Sequence, residues 1–306
     1  PQQRLLLERG YEALHAAGLR RAELMGSATG VFCAIFSIDF FEVLKASPAG
    51  RSVYAATGMA GTHSVASGRL SFVLGLHGPC CSYDTACSSS LAAGHAAWRA
   101  VQLRECERAL LEAVNLTLTP TIHFAFAVAG MTSPVGKCHT FDTRADGYVR
   151  GEACGAAVLQ LASETIASDV VWCGSAVRSD GRSASLTAPN GSAQRALLQA
   201  TMAEAGVVAA AVARLEAHGT GTVMGDLIEA GSCRAALLQA RGEAQAPLVI
   251  SSVKANVGHG ESAAAMAGLL VLAAGLTRGL APPNAQLRRL TLQVGEALRG
   301  GAACAL

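Results

Sequence analysis

The chain has little charge: Asp, Glu, Lys and Arg make up 15% of its 306 residues, and the formal net charge is +2. So slight and scattered an excess excludes the electrostatic footprint of a nucleic-acid binder or of a protein held on an anionic membrane. Aromatic residues are scarce too, at 5%, which argues against an aromatic-rich binding surface. The apolar majority is mostly Ala, Val and Leu with 33 Gly, a composition suited to tightly packed helices and sheets in a globular fold. No cysteines stand in a CxxC pair. The ten dispersed cysteines, among them Cys33, Cys106, Cys173 and Cys233, are therefore expected to be reduced thiols in an intracellular compartment, the cytoplasm or a plastid. About eight or nine of them are expected to be small buried hydrophobes. The opening residues 1–8 carry Arg and Glu, so no signal peptide is expected. A membrane span is not expected either. The longest apolar stretch, residues 263–276, falls short of the roughly 20 residues a span needs and reads as a core helix. Tandem repeats and low-complexity linkers are also lacking.

What is present is an alternation of strand-like and helix-like segments. Leu5, Leu6, Tyr11, Leu14 and Ala17 recur at roughly helical spacing before Gly18, which predicts an opening helix. Residues 30–36 read as a buried strand, 64–74 as a helix stopped by Gly75, and 82–85 as the end of a second strand. The helix predicted over 88–104 would place Leu91, Gly94, Trp98 and Val101 on one face and Cys87 at its first turn. Apolar runs at 109–118 and 155–161 suit strands, with a loop rich in Gly, Pro and Asp between them at 130–151. The first half is expected to close near residue 162. A strand at 170–178, a helix at 193–205, a strand at 214–218, a helix at 227–239 and a strand at 248–253 then follow. This order implies an α/β fold with a mostly parallel sheet.

Three segments could carry chemistry. Asp84-Thr85-Ala86-Cys87-Ser88-Ser89-Ser90 is a small-residue turn between a strand end and a helix. A thiol there faces unpaired backbone N–H groups and the positive end of the helix dipole, which favour thiolate. The alternative at this point is a packed thiol beside helix-capping serines. Glu216-Ala217-His218-Gly219-Thr220-Gly221-Thr222 runs from a strand into a Gly-Thr loop, where glycines permit close backbone approach and hydroxyls flank an imidazole. Ser252-Val253-Lys254-Ala255-Asn256-Val257-Gly258-His259 leaves another strand ahead of an Ala-rich helix. Judged alone, either histidine could simply satisfy loop carbonyls. A metal centre is not expected, because the two histidines lack short ligand spacing and no third ligand is evident. Taken together, one cysteine and two histidines at strand ends could converge on one edge of an α/β sheet, the nucleophile and imidazoles of covalent catalysis.

With these residues the chain resembles the β-ketoacyl synthases of type I polyketide synthases, in the thiolase-like superfamily. DTACSSS, EAHGTGT and SVKANVGH look like the family's three active-site blocks, in order. The resemblance extends to PQQRLLLERGYEAL, YAATG, GRLSFVLGLHGPC, AGMTSPVGKCHTFDTRADGYVRGEACG, SDGRSASLTAPNG and GDLIEA, and so covers nearly the whole chain to about Asn284. It implies a layered αβαβα fold of two similar halves, about 1–162 carrying the nucleophile and about 163–306 carrying both histidines. It implies acyl transfer to Cys87, then decarboxylative condensation with a malonyl-type carrier thioester to a 3-oxoacyl thioester. His218 and His259 would stabilise the enolate, Lys254 would organise the site, and Thr220 and Thr222 would bind the phosphopantetheine arm. No bound cofactor or metal is implied, since acyl groups arrive on an acyl carrier protein or coenzyme A. The implied partners are that carrier, further polyketide synthase domains on the same polypeptide, and a second copy in a homodimer with residues 78–85 near its twofold axis.

The departures from the family pattern imply that residues 1–306 form part of a longer polypeptide. The usual opening strand and the late Gly- and Phe-rich turn of the oxyanion hole are absent, and a half-built sheet would expose backbone groups that need partners. Ala153 and Ala265 stand where glycine is usual, Val223 and Leu227 where proline is common, and Met224 where leucine is. Two other readings compete. A non-catalytic scaffold protein would be expected to have lost the nucleophile, often to Gln, and a Cys-His thioester hydrolase would leave the second histidine and the threonine loop idle.

Overall fold

The computed structural model describes residues 1–48, 58–59, 61–162, 170–239, 241–242, 246–299 and 304–306. Residues 54–57 of the YAATG segment lie outside the described residues, as do residues 163–169, where the first half is expected to close. The chain forms two compact units. The first comprises Pro1–Ala125, Arg150–Ser168 and Gly260–Ala267, and the second Phe126–Val149, Asp169–His259 and Gly268–Leu306.

In chain order the first unit carries α1 (Gln2–Ala16), α2 (Arg21–Leu24), β1 (Thr29–Ile35), α3 (Asp39–Lys45), α4 (His63–Leu74), β2 (Cys80–Tyr83), α5 (Ser89–Gln102) and β3 (Arg108–Asn115). The chain then passes through α6 (Thr121–Val128), which runs across the boundary at Ala125, and returns as β4 (Ala153–Gln160). The sheet order is β2-β1-β3-β4. β1 pairs in parallel with β2 and β3, while β4 is antiparallel to β3. Every residue of β1 is buried, as is β3 from Ala109 onward. Parallel strands covered on both faces read as largely apolar runs, which is why these two were legible although Glu112 interrupts β3. Val31, Cys33 and Ile35 pack with Leu110 and Val114 against Leu6 and Leu14 of α1 and Leu70 and Leu74 of α4. Burying each such leucine is worth about 2 kcal/mol. The alternate residues point to the other face, against which α5 packs. α4 ends as expected where Gly75 takes φ 66°, a conformation open to glycine without Cβ strain.

The second unit holds α7 (Gly191–Ala205), β5 (Arg214–Glu216), α8 (Val223–Cys233), β6 (Leu248–Ser251), α9 (Lys254–Val257), most of α10 (Ala264–Arg278), α11 (Leu292–Leu298) and β7 (Cys304–Ala305). Its strands lie in the order β5-β6-β7, parallel throughout. Asn190 caps α7 by accepting the N–H groups of Ser192 and Ala193. The helix expected over 227–239 starts earlier, as α8, and continues through a wider π turn at Arg234–Leu238. Phe141, Leu237, Leu238, Leu248, Ile250, Val294 and Leu298 form this unit's core.

Several expectations need correction. Residues 170–178, expected as a strand, run as irregular backbone, with Gly174 pressed against the backbone of Ala205 at the end of α7 and the Trp172 indole N–H donating to the Gly174 carbonyl. On α1 the buried stripe is Gln2, Leu6, Gly10 and Leu14, and Tyr11 is exposed. Leu91 is likewise exposed, while Gly94, Trp98 and Val101 of the same helix are buried. Fewer cysteines are buried than composition suggests: Cys80 and Cys81 on the edge strand β2 and Cys173 in the irregular segment are exposed. An edge strand packs on fewer neighbours, so small apolar side chains there keep contact with water. The helical run Glu261–Arg278, with 18 residues and mean hydropathy 1.2, has the length and apolarity of a membrane span on those two criteria alone. Its start is nevertheless tied into the first unit, where Arg150 pairs with Glu261 and the Met266 N–H donates to Ser90 Oγ.

Candidate active site

In the first unit, β2 ends at Tyr83 and the chain turns sharply before α5. Ala86 takes φ 54°, a left-handed conformation that costs a residue with a Cβ about 1 kcal/mol. The surrounding polar groups hold it there. The Ala86 N–H donates to Asp84 Oδ1 (3.1 Å), and the Thr85 N–H donates to Ser89 Oγ (2.9 Å). The Ser88 and Ser89 hydroxyls turn back to the carbonyls of Thr85 (2.8 Å) and Ala86 (2.6 Å). Cys87 therefore sits just ahead of the helix, whose cap position is Ser88, rather than inside its first turn. Ser88 makes no side-chain cap bond, so the helix-capping alternative does not account for the serines.

Burial pushes the thiols of Cys33, Cys106, Cys138, Cys233 and Cys304 up, and that of Cys154 up to about 12. Cys87 is partly accessible at a helix N-terminus. Limited iodoacetamide treatment followed by peptide mapping is expected to find Cys87 alkylated at least about tenfold faster than the other nine thiols, because reaction requires thiolate. Comparable rates at Cys80, Cys81 and Cys173, which are exposed, would remove the case for an activated nucleophile.

In the second unit, His218 leaves the end of β5 and enters a loop with no room for side chains. Gly219 has φ 45°, and a Cβ there would strike Ser252 and Thr140. Gly221 has φ 79° and lies against the backbone of His139. Two carboxylates on α8 hold this loop from behind. Glu229 accepts the N–H groups of His218 and Gly219 through its two oxygens. Asp226 accepts those of Gly221 (3.1 Å) and Phe141 (2.7 Å). Burial raises both acids, Asp226 to about 6, against the pull of those hydrogen bonds. The Thr140 hydroxyl closes the loop by donating to the Gly219 carbonyl at 2.6 Å.

His259 emerges beyond β6, after the single turn of α9. Gly258, at φ 82° and ψ 179°, redirects the chain in a way that a residue with a Cβ rarely can. The His259 N–H donates to the Val149 carbonyl at 2.8 Å. Its buried ring meets Tyr148 edge-on at 5.0 Å between centroids, and His218 at 5.5 Å with planes 89° apart. His218 is exposed at the surface of its unit, although protein atoms crowd its ring. Desolvation first, and the nearby Lys254 ammonium second, push its imidazole down to about 3. At neutral pH it is an uncharged N–H donor. Lys254 is buried, and so is Thr220, whose hydroxyl lies 3.3 Å from that of Thr222.

The structure thus brings His218 and His259 together, places Lys254 within electrostatic reach of His218, and pairs Thr220 with Thr222. Cys87 belongs to the first unit and is positioned by its own turn. Sequence reasoning missed Glu229, Asp226, Thr140 and Tyr148. A signal existed for two of them, since Asp226 and Glu229 stand three residues apart on a helix that begins where the Gly-Thr loop ends.

Residues 1–165 match the family model "Beta-ketoacyl synthase, N-terminal domain" and residues 170–288 match "Beta-ketoacyl synthase, C-terminal domain". The chain belongs to the β-ketoacyl synthase family. Among curated proteins it is 41% identical over 293 residues to one phenolphthiocerol/phthiocerol polyketide synthase chain of Mycobacterium tuberculosis (strain CDC 1551 / Oshkosh), a match that covers 94% of this chain and 16% of that one. Another chain of the same synthase, from the same strain, is 42% identical over 288 residues, 93% of this chain and 15% of the relative. Among solved structures, the ketosynthase from module 6 of the bacillaene synthase of Bacillus subtilis 168 superposes with a TM-score of 0.84 at 30% identity. The oxazolomycin ketosynthase domain OzmH KS7 of Streptomyces albus JA3453 gives 0.86 at 31%. Each comparison covers 96% of this chain and 51% of the solved one, so the chain spans about half of the ketosynthases it matches. The fold is thiolase-like.

Proposed function

We propose that this chain carries the condensing centre of a polyketide synthase, a 3-oxoacyl-carrier-protein synthase activity. The observation that supports it most directly is the pair of imidazoles set edge to face, one leaving β5 and the other after α9, with the first held uncharged. In this reading the Cys87 thiolate attacks the carbonyl of an acyl thioester, whose thiol leaves with a proton, and an acyl-cysteine remains. A malonyl-type thioester then loses carbon dioxide, and the electron pair of the broken C–C bond becomes an enolate. N–H donors of His218 and His259 aimed at the enolate oxygen lower that barrier. The enolate carbon attacks the acyl-cysteine, the C–S bond breaks, and Cys87 is regenerated as the 3-oxoacyl thioester departs. Lys254 adds to the desolvation that keeps its neighbour His218 uncharged, and the Thr220 and Thr222 hydroxyls serve the amide groups of a phosphopantetheine arm. The scheme needs no bound cofactor or metal. Its partners would be an acyl carrier protein, a second copy of the chain, and further synthase domains of the kind found in the curated relatives, of whose length this chain matches only a fraction.

The test separates decarboxylation from condensation. Cys87→Gln, given a malonyl carrier thioester, is expected to release carbon dioxide and leave the acetyl thioester without forming a 3-oxoacyl product. Absence of carbon dioxide release would sink the role given to the imidazoles. A hydrolase would instead release free acid from acyl-Cys87 without consuming malonyl thioester.

A further inference from the structure

The ladder between β5 and β6 ends at the pair Glu216–Ser251, yet His218 and the Lys254–His259 turn both lie beyond it. The Ala217 N–H still donates to the Ser251 carbonyl at 2.7 Å, and beyond it the Glu216 side chain carries the connection on to Val253. Glu216 Oε1 accepts the N–H of Val253 at 2.5 Å, and Oε2 accepts the Ser251 hydroxyl at 3.1 Å. The Arg214 guanidinium stands 3.7 Å from the same carboxylate, and both side chains are nearly enclosed, at 12% and 7% exposure. Across from them Gly268 leaves the space open, because a Cβ there would come within 3.0 Å of Glu216 Cγ. Ser252 adds a weaker link, its hydroxyl 3.3 Å from the His218 carbonyl.

Resting on the reading above, we propose that Glu216 is a positioning residue that ties the strand leading to His218 to the turn leading to Lys254 and His259, and so sets the mutual orientation of the two imidazoles. The carboxylate satisfies a backbone donor that the sheet no longer pairs, and its two oxygens hold the last residue of β6 and Val253 just beyond it at once. It touches no reacting atom. Displacing one imidazole by an ångström is enough to slow the chemistry, whereas Cys87 is set by hydrogen bonds of its own turn.

The conservative Glu216→Gln keeps a carbonyl oxygen for the Val253 N–H, and Glu216→Leu keeps none. In the Cys87→Gln background, malonyl decarboxylation is expected to fall about 100-fold for leucine and less than about threefold for glutamine, the scale of a 1 Å misplacement. In the chain that retains Cys87, acyl loading should change less than about threefold in either variant, which a general loss of structure would not allow. The nuclear Overhauser contact between the two imidazoles should vanish with leucine and persist with glutamine. Decarboxylation unchanged in the leucine variant, or reduced equally in both, would overturn the proposal. Should the leucine variant fail to fold, Glu216→Asp, one methylene short of Val253, takes its place with the same outcomes. Were the parent to release no carbon dioxide at all, the proposed activity would fail, while the ring contact would still decide the role of Glu216.

Discussion

Cys87→Ala is expected to abolish the acyl-enzyme while leaving the second unit's imidazole pair intact, and His259→Ala is expected to do nearly the reverse. Without the sulfur no thioester can form, so an intact-mass shift after exposure to an acyl thioester should disappear. His259 acts at a different step, because its N–H stabilises charge that develops only when carbon dioxide leaves. Removing one such donor costs about 100- to 1000-fold. Condensation in His259→Ala should drop by that factor while acyl loading stays closer to the parent's. The two steps are read separately by mass spectrometry of the protein and by carbon dioxide release. Equal loss of both in the histidine variant would contradict the division of labour. His218, held neutral by its surroundings down to about pH 3, should show no ionisation of its own above about pH 5, so any acid limb of the rate there must belong to another group.

The second large effect is on stability and concerns Glu112, a residue outside the proposed chemistry. It sits in the middle of β3 with 0% exposure, and among the described residues neither carboxyl oxygen has a hydrogen-bond partner. Only the absence of a side chain at Gly10 lets α1 lie over it, since a Cβ there would collide with Glu112 Oε1. Burial first, and the neighbouring Glu112 carboxyl second, raise the thiols of Cys33 beside it in the register and of Cys154 on β4. Desolvation raises Glu112 well above its ordinary value of 4.5.

The folded chain therefore keeps a proton that the unfolded chain releases. Stability is full below the unfolded value and is lost as pH rises toward the folded one. Urea unfolding between about pH 5 and 9 should show this decline in the parent, and a shallower one in Glu112→Gln. Glu112→Met, of similar volume, should also raise the midpoint, because it removes buried polar atoms whose desolvation costs about 1–3 kcal/mol. Parallel slopes in parent and Gln variant would show that the carboxyl plays no part.

The elements that sequence reasoning found were those whose cause is local. β1 and β3 are buried on both faces and read as largely apolar runs, broken in β3 by Glu112, and α4 stops at a glycine that takes φ 66°. The eight-residue helix Thr121–Val128 is too uniformly apolar to show a period. Residues 170–178 have strand-like composition but run as irregular backbone, Gly174 meeting the backbone of Ala205. The Gly10 stripe of α1 was misread for a related reason, since the helix docks on a residue about a hundred positions away that no periodicity reveals.

For the candidate site, the amino-acid sequence alone determined which groups could do chemistry and what backbone carries them: a cysteine in a turn of small residues before a helix, and histidines at strand ends beside glycines that relax steric limits. These depend on neighbours a few residues apart. Tertiary structure decided how the two rings face each other, which titration His218 loses, and which acids brace the turns. Glu229, Asp226 and Glu216 act across backbone separations that only the completed sheet and helix closes, as Thr140 does in reaching Gly219 from 79 residues away. Hydrogen bonds act over about 3 Å, so their partners exist only once the fold has brought distant segments that close.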